Sequence, residues 1–145
     1  GKQEYDSAVR LLCFALPKQH AVWWAIGCIE QSAGDKLTAQ DKAALESARN
    51  WVIDPSEENR RLAEAGAAPI QMGSAAGAAA LGAFWSGGSL APAEFDAVPP
   101  PDELTAQAVY AAMCLTCIEG DGRAANLPKF YEAGLKIAAG ENLWG

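Results

Sequence analysis

A single histidine, His20, serves the whole 145-residue chain, and no stretch alternates apolar and polar residues with a period of two. The missing alternation removes the half-buried strand from consideration. One imidazole leaves any Ser-His-Asp or Cys-His arrangement a single base to use, and no nucleophile motif surrounds His20 beside Gln19. It reads as a surface or capping residue near a helix start. Positive charge is scarce as well: 11 Lys and Arg stand against 18 Asp and Glu, a formal net charge of -7. Phosphate backbones are bound through clustered Lys and Arg, so the balance argues against nucleic acid. It suits plain solubility first and a basic protein partner second. The longest low-charge run, Ala65 to Ser89, is Gly/Ala-rich, carries Pro69 and Gln71, and is too weakly apolar to span a bilayer. No charged-then-apolar leader opens the sequence. Four cysteines are few for a secreted disulfide scaffold. The expectation is a soluble cytoplasmic protein with buried, reduced thiols and no membrane contact.

What is present is helical. The length suits one domain, residues 1–145. A chain this size buries roughly 68–70% of its unfolded surface and needs no staples. The stretch from Met72 to Pro92, MGSAAGAAALGAFWSGGSLAP, organises the reading. Its Ala/Gly half, with Gly73 and Gly77 four apart, predicts a buried helix that neighbours approach closely, opened by Pro69. Each interior glycine costs about 1 kcal/mol, so tight packing must offset it. Around it, Val9, Leu12 and Cys13 predict a helix over Glu4 to Leu16, and Val22, Trp23, Ile26 and Ile29 a largely buried one over Lys18 to Gln31. Gly34 is the candidate cap of the second. Thr38 with Asp41 begins a third with a capping-box-like start. Asp54-Pro55-Ser56-Glu57 predicts a fourth, capped by Asp54 with Pro55 first in the helix, running to Ala65 and ended by Gly66. Ser86 to Pro101 reads as a loop, with Gly87-Gly88 as a turn and Pro99-Pro100-Pro101 extended. A sixth helix starts at Asp102 or Thr105 and runs to Glu119, broken by Gly120-Asp121-Gly122, and a seventh covers Pro128 to Ala139. The fold class is all-α, one domain of about seven helices around the Ala/Gly helix.

Several residue groups carry chemistry elsewhere and have plainer readings here. Cys114 and Cys117 form a CxxC, and Cys13 and Cys28 would complete four thiolates. Zinc sites want two short knuckles, whereas one of these pairs lies fifteen residues apart and the other mid-helix. A redox CxxC places its first cysteine at a helix N-terminus after a strand. Small buried apolar residues are the preferred reading, with a Cys-based metal or redox protein as the minor alternative. Glu57-Glu58 and Asp102-Glu103 pair carboxylates, yet both sit in first turns, where negative charge complements the helix dipole. Ser86-Gly87-Gly88-Ser89 lacks the preceding strand and the Lys-Ser/Thr of a phosphate loop. No catalytic residue, cofactor or metal site is expected, and the protein is read as a non-enzyme. Among five tryptophans, adjacent Trp23 and Trp24 point about 100° apart on a helix, so one lies at the edge of the core. Trp24 or Trp85, if exposed, would suit a partner contact.

Four segments together are distinctive: AVWWA at 21–25, ARNWV at 48–52 running into DPSEENRR at 54–61, FWSGGSLAP at 84–92, and PPP at 99–101 ahead of LTA at 104–106. From about residue 8 to 140 the chain resembles an uncharacterised family of small all-helical bacterial proteins encoded beside type VI secretion genes. The resemblance implies a protein-binding accessory, an adaptor or co-chaperone that helps load an effector, with a secretion adaptor or effector as partner. It carries over no catalytic residues. The partner-binding candidates are Trp24, Glu57, Arg60, Arg61, Trp85, Ser86, Gly87 and Gly88; the same positions serve equally as cap and core signatures. The alternative is an immunity protein that blocks a toxin with its acidic face.

Overall fold

Among the described residues, the helical spacing seen in the sequence becomes seven α-helices: α1 (Lys2–Ala15), α2 (Lys18–Ala33), α3 (Ala39–Ile53), α4 (Glu57–Ala67), α5 (Ala75–Phe84), α6 (Leu104–Glu119) and α7 (Leu127–Ala138). The computed structural model describes residues 2–119 and 126–144, and no strand occurs among them. The break expected at Gly120-Asp121-Gly122 lies outside the described residues.

All ten residues of α5 are buried. Its neighbours are α2, α3, α4 and α6, which makes it the axis of the domain. Side chains of one carbon or none allow this, because four helices must approach one short cylinder. The glycines divide the task differently from the sequence expectation. Gly73 is not in the helix at all but ends a 3-10 turn, Gln71–Gly73. A Cβ on Gly77 would lie 2.0 Å from the Gln71 carbonyl oxygen, so this glycine accommodates the turn before α5 rather than a helix crossing. Gly82 is the crossing glycine, its missing Cβ 3.5 Å from Ala108 on α6 and 3.7 Å from Val22 on α2. Thr105 Oγ1 donates to the Gly82 carbonyl at 2.7 Å across the same crossing. Two further glycines act alike: a Cβ on Gly66 would meet Ser47 Oγ at 2.5 Å, and one on Gly134 would meet Leu12 and Trp24. Gly66, expected to end α4, lies within it.

Helix starts are fixed by caps. Thr38 Oγ1 accepts from the Asp41 amide at 3.0 Å and Asp41 Oδ2 accepts from the Thr38 amide at 3.1 Å, the reciprocal box the sequence signals. Asp41 Oδ1 also accepts from Ser74 Oγ at 2.8 Å, and Ser74, not Pro69, caps α5. One carboxylate thus ties the starts of α3 and α5. The fourth helix likewise starts later than expected. Ser56 is its cap, accepting from the Asn59 amide at 3.2 Å, while Asp54 closes α3 and its carbonyl accepts from Asn59 Nδ2 at 2.9 Å. Gly34 caps α2 at φ 49, as a glycine at that place predicts.

Candidate functional site

A polar corner forms where α2, α4 and the C-terminal end of α5 meet. The last carbonyls of a helix have no partner within it and attract cations. Here α4 supplies one. Arg60 is 3% exposed. Its Nη1 donates to the Phe84 carbonyl at 2.7 Å and its Nη2 to the Ser89 carbonyl at 3.1 Å. Glu57, one turn earlier, accepts from Arg60 Nε at 2.6 Å and from Nη2 at 2.8 Å, a bidentate pair. The guanidinium stands over the Phe84 ring, 4.8 Å from its centroid. Arg61 repeats the pattern further out: its Nε reaches Glu57 at 3.2 Å, its Nη2 the Ala91 carbonyl at 2.9 Å. From the other flank Lys18 Nζ donates to the Ser86 carbonyl at 2.9 Å. Three cations therefore read out the carbonyls of one loop, at Ser86, Ser89 and Ala91.

The loop's own chemistry suits that grip. Gly88 has φ 63, and a Cβ there would lie 2.7–2.9 Å from the Arg60 guanidinium, so only glycine fits on both counts. Ser89 Oγ accepts from the Ala91 and Val98 amides, and the Leu90 amide donates to the Val98 carbonyl. Residues 86–91 and Val98 are consequently held by named bonds. Glu57 is itself largely solvent-facing, and the two arginines hold its carboxyl down to about 2.

Beside this hub opens a cleft of about 410 Å³, lined by Pro17, Lys18, Gln19, Trp51, Pro55, Ser56, Glu57, Arg60 and Ser86 to Gly88. Glu57, Arg60, Ser86, Gly87 and Gly88, expected to act together from sequence, are brought together here. Arg61 lies on the outer side of the same hub, and Trp85, half-buried, closes α5 with its amide on the Leu81 carbonyl. Two expectations change. Trp24 is 1% exposed and its Nε1 donates to the Phe130 carbonyl at 2.8 Å, so its ring seats α7 and offers no surface. Trp23 is the tryptophan at the core's edge. Arg60 is present at the site but largely enclosed, its guanidinium engaged with Glu57 and the Phe84 and Ser89 carbonyls. The sequence reading missed Lys18 and Phe84. A lysine in the first turn of a helix opposes the dipole, and that misfit was the available signal for Lys18.

The polar side chains that line this cleft have partners within the fold. Gln19 Nε2 donates to the Val52 carbonyl at 2.9 Å, and Ser56 is occupied as a cap. His20 lies elsewhere, edge-on to Trp144 with centroids 5.0 Å apart. None of the four cysteines is paired in a disulfide. Burial, with Cys114 nearby, pushes the Cys13 thiol up to about 12, and burial raises Cys28, Cys114 and Cys117 as well. Such thiols stay protonated and are poor nucleophiles. Among the described residues, no group of three or more His, Cys, Asp or Glu gathers to hold a metal ion. No helix among them is long and apolar enough to cross a membrane.

Fold and corner together define an all-α domain with a small-residue axis and a cation-pinned loop. The chain belongs to the DUF6931 family, a family of unknown function, whose model matches residues 1–138. No curated protein and no solved structure matches the chain.

Proposed function

We propose that this protein is a non-catalytic, cytoplasmic protein-binding accessory, an adaptor or co-chaperone for effector loading in type VI secretion. The observation that supports a binding role most directly is the satisfied polar hub: its charged groups hold a loop in place and leave a preformed cleft beside it. Preorganised backbone lowers the entropy lost on docking. The turn at Gly87-Gly88, exposed at Gly88, the proline rims and the outward side of Glu57 suit a peptide segment with a basic residue. The link to secretion rests on the resemblance of the four sequence segments.

Gly87 provides the test, because a Cβ there meets nothing within 4 Å and its φ is ordinary. Gly87→Arg fills the cleft mouth without disturbing the fold. Pull-down from the native organism with the unaltered chain should recover a secretion adaptor or effector. The Gly87→Arg chain, with an unchanged melting temperature, should recover at least tenfold less. Equal recovery by both removes the cleft from the reading, and recovery of neither partner class by the unaltered chain removes the adaptor role. Growth rescue on coexpression with a neighbouring toxin would instead assign immunity.

A further inference from the structure

We propose that the face of α2 bearing His20 and Trp23 is a second binding site, one that takes a turned peptide segment carrying a tryptophan, and that residues 139–144 of this chain occupy it as a built-in competitor. After α7 the backbone turns at Gly140, φ 88, and again at Asn142, φ 59. It then lies back along α2. Trp23 Nε1 donates to the Asn142 carbonyl at 2.7 Å. Trp144, two residues on, meets the His20 ring at 5.0 Å and the Trp23 ring at 5.8 Å, edge to face in both. A carbonyl followed two residues later by an indole is thus what this surface recognises.

Three observations point to an exchangeable occupant. Residues 139–142 are exposed, and only Leu143 and Trp144, both half-buried, pack against the core. His20 Nδ1 is enclosed with no partner among the described residues. An enclosed nitrogen without a partner is unfavourable, and a ligand that brings a donor to it gains a bond the tail does not make. Alongside, a cleft of about 210 Å³ runs past Trp23, Gly27, Ile137 and Asn142, room that the tail borders without filling. The seat lies within the span shared with the family, whereas the competitor lies beyond residue 138. The lining of this cleft shares no residue with that of the arginine corner.

The test uses the full chain and a labelled peptide, acetyl-Gly-Glu-Asn-Leu-Trp-amide, followed by fluorescence anisotropy. Trp144→Ala empties the seat of its indole. This variant should bind the peptide about two- to tenfold more tightly than the native chain, whose apparent affinity is reduced by the closed fraction. The same peptide with alanine in place of tryptophan should not bind. Adding Trp23→Phe, which keeps a ring and removes the indole N–H, should weaken binding about tenfold, or about 1.4 kcal/mol. Absence of binding by a Trp144→Ala chain with a native-like melt overturns the proposal. So do equal affinities in the two chains, or a dimer of the native chain held by exchanged tails.

Discussion

Two irregular segments pass over this bundle, and they are secured by different physics. The loop 86–101 is gripped by Lys18, Arg60 and Arg61, each donating to a loop carbonyl. The tail after α7 is held by one indole N–H, the edges of aromatic rings and the half-buried Leu143 and Trp144, past the backbone bonds that finish the helix. Charge-assisted bonds from long side chains are directional and strong. Ring-edge contacts are worth about 0.5–1.5 kcal/mol each and tolerate displacement. Ordered irregular backbone therefore has two grades in one molecule: a fixed surface beside the first cleft and a removable cover on the second.

The comparison predicts a ranking of losses. Arg60→Ala should have the largest effect. It strips the Phe84 and Ser89 carbonyls of bonds worth about 1.5–3 kcal/mol each to a charged donor, so urea unfolding should lose roughly 3–5 kcal/mol. Gly88→Ala comes next. Strain at positive φ and contact with the guanidinium should lower stability by about 1–3 kcal/mol in the same titration. Trp144→Ala should cost about 0.5–1.5 kcal/mol. If the tail variant loses more than the Gly88 variant, the contrast between fixed loop and removable cover is wrong.

The smallest effect is the pH dependence of Glu57. Its carboxyl sits at about 2, below the ordinary 4.5. A depressed acid contributes stability above its unfolded value and loses that contribution as pH falls from about 4.5 through 2. Glu57→Gln should flatten this part of the acid titration, followed by circular dichroism. The change should be slight, because the side chain is 61% exposed and solvent screens the pair.

Legibility in the sequence followed the range of the interactions. The Thr38–Asp41 box and the cap at Gly34 are local and were readable, as was the burial of the Ala/Gly helix from its lack of charge. Asp54 and Ser56 are both good capping residues two positions apart, and local chemistry alone does not choose between them. Trp23 and Trp24 sit on a helix apolar nearly all round, so periodicity had no polar face against which to place either. Arg60 is a partner-binding candidate by sequence, and nothing local to α4 marks it as enclosed. Its burial depends on Ser89, 29 residues later, folding back over it. Gly77 was recognised as a close approach, but its contact is the Gln71 carbonyl of the preceding turn rather than a second helix.

The enclosure of α5 has a kinetic corollary. Ten residues of alanine, glycine and a few larger side chains are too short to persist as a helix in water. This segment therefore gains its hydrogen bonds only as α2, α3, α4 and α6 close around it, and loses them only when those walls part. Its amide protons accordingly exchange with solvent by opening of the entire domain, so their slowest rates report the global unfolding free energy directly.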